Sequence, residues 1–310
     1  MSTRLKEDRS RLVEINGNGV SSILEAIARD CVVLVRNLSL QQADDLIHQI
    51  AGCLGLSKAL ALQAELATLH GHRSKVGKYF MSVNQRDEYQ FITPHSEGAG
   101  FMRMQISSFY CLENSTDGGE TLLFNVDGSS RHWSMMKEKV SRLSPGSRPL
   151  SISEASRIKL ATGIYSATDF VRREDIVIRE YESHFPGVKI VDVLGRVERS
   201  QCRILGKPVH VLWDTVASFD RDQPDWFKQI LIGAGLLREP QGGLPTCQLD
   251  NTFNRRIFSS GIDYSELFRC SLTHRLAPGE LIIQNNYTWA HSTANWTPHS
   301  GKRTIAASFA

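Results

Sequence analysis

The chain has 310 residues, of which 41% are hydrophobic and 22% are charged, and its formal net charge is +3. These values are ordinary for a soluble globular protein of one or two domains. The small charge and scattered basic residues argue against nucleic-acid binding, and no apolar run is long enough to span a bilayer. The charged N-terminus lacks the apolar core of a signal peptide, so we expect a cytoplasmic protein.

The first part of the chain predicts helices around one strand. Ser22 and Ser39 are each followed three residues later by Glu or Gln, a pattern typical of helix N-termini. Between them, residues 31–35 form a β-branched run that predicts a strand. A further helix is expected at about residues 58–69. We therefore expect residues 1–88 to be a helical support.

From about residue 89 the apolar pattern changes to the period of two that is typical of strands. Residues 101–112 and 121–126 predict two strands, and the turn-rich segment between them suggests an antiparallel pair. Three further strands are predicted near the C-terminus, at residues 271–274, 281–285 and 303–309.

The middle of the chain is less regular. Residues 130–143 and 225–237 have apolar residues at helical spacing, and residues 209–213 predict a short strand. Most of residues 144–249 has no clear period and contains several prolines and glycines. We interpret this stretch as an insertion or lid.

The motif that carries chemistry is His95-Ser-Glu97, together with a distant histidine, His291. In an extended strand, residues two apart point to the same face. Two ligands from one strand and a third from elsewhere occupy one face of an octahedron. Two histidines and one carboxylate with open positions are the ligand set of non-haem Fe(II) oxygenases.

Other interpretations of these residues remain open. The same three ligands with a bound water are also compatible with a zinc hydrolase. A metal-binding protein without turnover, such as a sensor or scaffold, is a further alternative. A second short histidine pair, His70-Gly-His72, lies near Arg73 and is interpreted as a surface or loop feature.

The order of motifs along the chain resembles that of Fe(II)/2-oxoglutarate-dependent oxygenases of the taurine dioxygenase/clavaminate synthase type. The matching segments are His95-x-Glu97, the strand ending at Leu112, Gly118-Gly-Glu-Thr121, residues 278–286, His291 and Arg303. Thr121 follows His95 by 26 residues and Arg303 follows His291 by 12, as in that family.

This resemblance implies a mainly β (α+β) fold in a single oxygenase domain. Its double-stranded β-helix (jelly-roll) core would have flanking helices and a lid insertion. The implied boundaries are residues 1–310 for the domain, about 89–127 and 250–310 for the core, 1–88 for the helical support and about 128–249 for the lid.

The resemblance also implies the roles of five residues. His95, Glu97 and His291 would bind Fe(II), with O₂ and 2-oxoglutarate at the open positions. Thr121 and Arg303 would bind the distal carboxylate of 2-oxoglutarate, for which a planar guanidinium is well suited. Fe²⁺, one carboxylate, the dianionic cosubstrate and one arginine together sum to zero charge.

Three positions depart from the family pattern. A second arginine is usual four residues after the first, near the oxo-acid carboxylate, but this chain has Ala307 there. Ser308 or a lid residue is a candidate replacement. Thr293 stands where an arginine is common, and Asn285-Asn286 replaces the usual Asp-Asn.

The expected function is oxidation of an unactivated C–H bond with conversion of 2-oxoglutarate to succinate and CO₂. A carboxylate at Glu97 favours hydroxylation or desaturation over the halogenation that related enzymes perform after losing it. The resemblance suggests a small polar substrate, an amino-acid- or peptide-derived natural-product intermediate. Arg103, Gln105 and Ser107 share one face of a predicted strand and are candidate substrate contacts.

Overall fold

The computed structural model describes residues 5–17, 19–69, 73–83, 92–98, 103–145, 150–162, 170–213, 223–239 and 262–310. The α-helices within these residues are α1 (Val20–Ala28), α2 (Leu40–Cys53), α3 (Ser57–Leu69), α4 (Ile152–Thr162) and α5 (Gln223–Gly233). Short 3₁₀ helices occur at Arg9–Arg11, Arg131–Ser134 and Tyr264–Leu267. The strands are β1 (Leu12–Asn16), β2 (Val32–Arg36), β3 (Met81–Ser82), β4 (Ile92–His95), β5 (Ile106–Asn114), β6 (Thr121–Val126), β7 (Lys137–Pro145), β8 (Ile176–Glu182), β9 (Val188–Arg196), β10 (Arg199–Cys202), β11 (Lys207–His210), β12 (Phe268–His274), β13 (Leu281–Asn285), β14 (Trp289–Thr293) and β15 (Arg303–Phe309).

Two sheets form the centre of the protein. The large sheet has the strand order β1-β2-β13-β5-β15-β3, and the small sheet has the order β12-β6-β14-β4. β1 and β2 are parallel, whereas the other pairs in both sheets are antiparallel. One apolar cluster contains residues from both sheets, so the sheets pack face to face.

The apolar run in β2 is explained by burial on both of its faces. Val32 and Leu34 pack between the two sheets, whereas Val33 and Val35 pack beneath α1, α2 and α3. Strands buried on both faces are continuously apolar instead of alternating. The small sheet is covered in the same way, since Phe124 of β6 packs against Phe227 of α5.

The mainly β prediction is confirmed, as are several element boundaries. α2 begins with the capping box at Ser39 and Gln42. The first helix, however, is capped by Gly19 without a side-chain hydrogen bond, so the cap predicted at Ser22 is wrong. β1 was not expected; it is short and is stabilised by pairing with β2.

Two other expectations were wrong because long-range pairing decides the local structure. β5 and β6 do not pair, since the turn-rich segment between them carries the chain from the large sheet to the small one. Most of residues 130–143 is not helical: after the 3₁₀ turn, β7 pairs along its whole length with β9.

The middle of the chain forms a three-stranded sheet of order β7-β9-β8 and a β10-β11 hairpin. Its role as a lid and the division into one domain remain predictions. Within the described parts of the chain, every helix is too short or too polar to cross a membrane.

Candidate metal centre

The two histidines of the candidate centre meet because their strands are neighbours. In the antiparallel pair of β4 and β14, His95 lies directly opposite His291. Their ring centroids are 4.5 Å apart, and both side chains are buried. A cross-strand pair is the arrangement in which side chains of adjacent strands come closest.

Glu97 completes the group two residues after His95. Its Oε1 lies 4.0 Å from Nε2 of His95 and 3.8 Å from Nε2 of His291. One ligand atom from each of the three residues lies within 4.8 Å of the other two. The next residue, Gly98, has φ of +93°, a conformation that glycine adopts readily.

The far nitrogen of each imidazole contacts a fixed polar group. Nδ1 of His95 lies 2.8 Å from the carbonyl oxygen of Thr93, which requires a proton on Nδ1 and leaves the Nε2 lone pair available. Nδ1 of His291 lies 3.2 Å from Nε2 of Gln284, which also donates to the Trp289 carbonyl at 3.0 Å. Gln284 therefore links the His291 ring to the main chain of β14. Such contacts orient a histidine toward a metal.

Asn286 fixes the main chain of Glu97. Its Oδ1 accepts a hydrogen bond from the Glu97 N–H at 2.9 Å, and its Nδ2 donates to the Glu97 carbonyl at 3.1 Å. The same Nδ2 donates to the carbonyl of Met104 at 2.9 Å. Asn286 is fully buried in the turn between β13 and β14. The turn that precedes β14, the strand of His291, therefore holds the main chain of Glu97, which follows β4.

The charge state of Glu97 suits a metal ligand. Burial raises the pKa of its carboxyl, but the hydrogen bond from His291 and the positive charge of Arg73 together outweigh this effect and lower the pKa to about 2. The carboxylate is therefore ionised across the usual pH range, as metal binding requires.

Arg303 begins β15 and lines the same cavity. Its Nε donates to the Gly119 carbonyl at 3.0 Å, and its guanidinium carbon lies 5.9 Å from the centre of the Trp296 ring. A Cβ at Gly119 would lie 2.5 Å from Cδ of Arg303, and Gly119 has φ of +72°, so only glycine fits there. The second glycine of the Gly118-Gly119 motif thus makes room for the arginine.

The charge of Arg303 is not balanced by a carboxylate among the described residues. Burial lowers its pKa to about 10, which leaves the guanidinium protonated. The nearby Glu120 is held by Arg238 through two hydrogen bonds, of 2.7 and 2.9 Å. A partly buried cation that no described carboxylate pairs with favours an anionic ligand.

A single cavity of about 340 Å³ contains both groups. It is lined by His95, Glu97 and His291, by Arg303 and Thr121, and by Arg73, Phe109 and Trp296. Thr121, the first residue of β6, is buried against it. Phe109 packs on His291 with ring centroids 4.6 Å apart.

Arg73 also lines the cavity, a position that the sequence does not predict. In the sequence it adjoins the histidine pair His70 and His72, both of which lie outside the described residues. In the structure its Nη2 lies 3.4 Å from Oε2 of Glu97. A lone arginine in a loop has no local pattern that would have identified it.

The three candidate substrate residues are placed away from the described lining of the cavity. β5 begins only at Ile106, so Arg103 precedes the strand and is exposed, with φ of +51°. Gln105 accepts a hydrogen bond from the main chain of Arg203 at 2.8 Å. Ser107 is buried on β5. The structure does not bring these side chains to the metal-ligand group.

The donor set fits a ferrous ion. Two imidazoles and one ionised carboxylate are ligands that Fe(II) accepts, and all three donor atoms line the cavity. Because no cysteine of the described residues joins them and the cavity continues past them, the set does not form the closed shell of a structural zinc site.

No family model matches the chain, and no curated protein matches it in sequence. Among solved structures it is similar to asparagine oxygenase in complex with Fe(II), 3-hydroxyasparagine and succinate, with 13% identity over 94% of this chain and 77% of that one and a TM-score of 0.42.

It is also similar to the non-haem iron oxygenase OrfP, with 11% identity, 94% and 79% coverage and a TM-score of 0.42. The PvcB protein from Pseudomonas aeruginosa has 10% identity, 99% and 89% coverage and a TM-score of 0.42. The residues of the cavity, and not these similarities, are therefore the basis for a function of this chain.

Proposed function

We propose that this protein is an Fe(II)/2-oxoglutarate-dependent oxygenase with a double-stranded β-helix core, of the taurine dioxygenase/clavaminate synthase type. The observation that carries the proposal is the shared cavity. It is lined by three converging metal-ligand side chains and by a partly buried arginine with no carboxylate partner among the described residues. A metal site alone does not require an additional positive charge in the cavity. A dicarboxylic acid that chelates the metal at one end does, because its other carboxylate needs a cationic partner.

In this proposal His95, Glu97 and His291 hold the iron on one side only. When bound there, Fe(II) and 2-oxoglutarate would activate O₂ for the oxidation of a C–H bond. In the same reaction 2-oxoglutarate would be converted to succinate and CO₂. The protein contributes position and electrostatics. The Thr93 carbonyl and the Gln284 amide orient the two imidazoles, and Asn286 orients the carboxylate.

Arg303 and Thr121 would bind the distal carboxylate of the cosubstrate. The Nε of Arg303 is engaged with Gly119, which fixes the plane of the guanidinium and leaves its terminal nitrogens for the ligand. This cation also selects an acid over a neutral compound, because a buried guanidinium without an anion is unfavourable.

The described walls of the cavity include two aromatic side chains. Phe109 contacts the His291 ring with the two planes tilted by 57°, and Trp296 lies beside the Arg303 guanidinium. A cavity of about 340 Å³ suits a small molecule. We propose that the primary substrate is a small polar metabolite, an amino-acid or peptide derivative, which the enzyme hydroxylates or desaturates.

The first test measures binding without turnover. Under argon, the wild-type protein should bind Mn(II), detected by loss of the free-ion electron paramagnetic resonance signal, and the loaded protein should bind 2-oxoglutarate in a calorimetric titration. His291→Ala should abolish metal binding. Arg303→Ala should leave metal binding intact and weaken 2-oxoglutarate binding by roughly 30- to several-thousand-fold, the cost of removing one partner of a buried charge pair.

Arg269→Ala is the matched control for Arg303→Ala. Arg269 is an arginine of β12 that does not line the cavity, and its side chain is 49% exposed and pairs with Asp127 at 3.4 Å. Its loss should change neither affinity. A wild-type protein that binds metal but not 2-oxoglutarate would sink the proposal and favour the zinc hydrolase.

Turnover is then measured as succinate formation from 2-oxoglutarate with Fe(II) and O₂ in the presence of candidate substrates. Succinate that depends on His95 and Glu97 distinguishes an oxygenase from a metal-binding sensor. Binding of both ligands with no succinate for any amino-acid or peptide substrate would favour the sensor.

A further inference from the structure

Arg73 occupies an unusual position for a cation. Its Nη2 lies 3.4 Å and 3.5 Å from the two carboxylate oxygens of Glu97. Both side chains are only 17% exposed. Oε1 of Glu97 is the same atom that lies 4.0 Å and 3.8 Å from the Nε2 atoms of His95 and His291. The guanidinium therefore contacts the oxygen that the proposed function assigns to the metal.

A metal ion bound to Oε1 would compete with Arg73 for the negative charge of Glu97. Neighbouring ligands of a six-coordinate ion with bonds of about 2.1 Å are roughly 3 Å apart, so the three donor atoms must draw together around the ion. The divalent charge would then lie within a few ångströms of the guanidinium. Like charges at that distance in a half-buried site repel strongly.

The guanidinium of Arg73 also contacts an aromatic ring and a thioether sulfur. Its guanidinium carbon lies 5.3 Å from the centre of the Phe309 ring, and its Nη1 lies 3.7 Å from Sδ of Met81. Phe309 and Ala307 lie on the same face of β15. Ala307 has no charge, and Arg73 brings a cation to this part of the cavity from another segment.

The backbone that carries Arg73 is held in place. The carbonyl of Ser74 accepts a hydrogen bond from the N–H of Ser82 at 2.8 Å, and the N–H of Ser74 donates to Oγ of Ser82 at 2.9 Å. A change of partner therefore needs only rotation of the arginine side chain, not movement of the segment.

We propose that Arg73 exchanges carboxylate partners. It pairs with Glu97 in the metal-free protein, and when Glu97 binds the metal it turns to a carboxylate of an acid bound in the cavity. This inference rests on the proposed function. A divalent ion, Glu97, Arg73 and Arg303 together carry +3, and dianionic 2-oxoglutarate leaves +1. The carboxylate that Arg73 takes belongs either to the cosubstrate, next to its oxo group, or to the primary substrate.

The exchange predicts opposite effects on two affinities. Without acid, Arg73→Gln should bind Mn(II) about tenfold more tightly or better, because a competing charge within about 4–6 Å shifts such equilibria by one or more powers of ten. The same variant should bind a carboxylate ligand about tenfold more weakly. A side chain with only a structural role would weaken both affinities or neither.

Two acid titrations distinguish the sources of the carboxylate. If the cosubstrate supplies it, Arg73→Gln weakens 2-oxoglutarate binding to the Mn(II)-loaded protein. If the primary substrate supplies it, 2-oxoglutarate binding is unchanged. N-acetylglycine, used as a monocarboxylate probe of the Mn(II)–2-oxoglutarate complex, is then bound by the wild type and lost in the variant.

Two further variants make the test specific. Arg73→Lys keeps the charge but loses the planar fork, so its metal affinity should stay near that of the wild type while its carboxylate affinity falls. Lys75→Gln removes an exposed cation from the same segment, which pairs with Glu65 at 3.4 Å, and should change neither affinity.

The inference fails if the wild type binds Mn(II) and 2-oxoglutarate but Arg73→Gln, folded by circular dichroism, leaves the Mn(II) affinity unchanged or weaker. It also fails if neither acid loses affinity. A wild type that binds no metal contradicts the proposed function instead.

Discussion

His210 shows how one buried residue makes stability depend on pH. Its ring stacks on Trp133 with centroids 4.8 Å apart and planes within 4°. Its Nε2 accepts a hydrogen bond from Nε of Arg199 at 3.3 Å, which requires a neutral ring. Burial, with the charges of Arg199 and Arg196, lowers its pKa from 6.5 to about 4.

We predict that the wild type loses stability as the pH falls because of His210, and that His210→Phe does not show this part of the loss. Because the folded pKa lies below the unfolded value of 6.5, the unfolded chain takes up the proton first as the pH falls. The folded state therefore loses about 2 kcal/mol between pH 7 and pH 5 through this residue.

The measurement is urea unfolding of both proteins at the two pH values. Phenylalanine keeps the stacking on Trp133 but does not titrate, and other groups titrate equally in both proteins. The difference in unfolding free energy between variant and wild type should shift by about 2 kcal/mol in favour of the variant at pH 5. If variant and wild type differ in unfolding free energy by the same amount at pH 7 and pH 5, His210 is not the source of the pH dependence.

At the scale of elements, the turn between β13 and β14 organises the candidate centre. It lies between Gln284, which contacts His291, and His291 itself, and it contains Asn286, which holds the backbone of Glu97. One short connection between the two sheets thus orients two of the three ligands.

We predict that Asn286→Ala weakens metal binding as well as the fold. It leaves the Glu97 N–H and the carbonyls of Glu97 and Met104 without their partner, which should cost about 2 kcal/mol or more of unfolding free energy. Loss of a group that orients a ligand typically weakens metal affinity by about 10–100-fold. Urea unfolding and Mn(II) titration measure the two effects.

Asn125→Ala is the control for this prediction. Asn125 is equally buried, and its Nδ2 donates to Asp30 at 3.1 Å and to the Thr288 carbonyl at 3.2 Å, away from the three ligands. Its loss should lower stability to a similar extent and leave the Mn(II) affinity unchanged. If both variants lose metal affinity equally, the role given to Asn286 is wrong.

At the scale of the whole molecule, the cavity joins distant parts of the fold. His95 and His291 belong to the small sheet, Arg303 belongs to the large sheet, and Arg73 follows α3. Ligands bound there make contacts that the unfolded chain cannot make, so binding and stability are linked.

We predict that Mn(II) stabilises the fold by about 2.7 kcal/mol when its free concentration is about one hundred times its dissociation constant. For a chain of this length the melting temperature should rise by a few degrees. Differential scanning calorimetry measures the shift, and His95→Ala should abolish it. An equal rise in that variant would indicate that the metal binds elsewhere.

The sequence alone determined those features that depend on neighbouring residues. β13 and β15 begin and end at the predicted residues, and Ser39 caps α2 as expected, because strand period and helix capping are local. The spacing of two between His95 and Glu97 is likewise local.

Only the tertiary structure decided which distant groups meet. Segments far apart in the chain decide that β5 and β6 do not pair and that β7 pairs with β9. They also decide that Arg73 and Asn286 contact Glu97. Such contacts are selected by burial and by the need to pair every buried polar group, and neither condition leaves a periodic trace in the sequence.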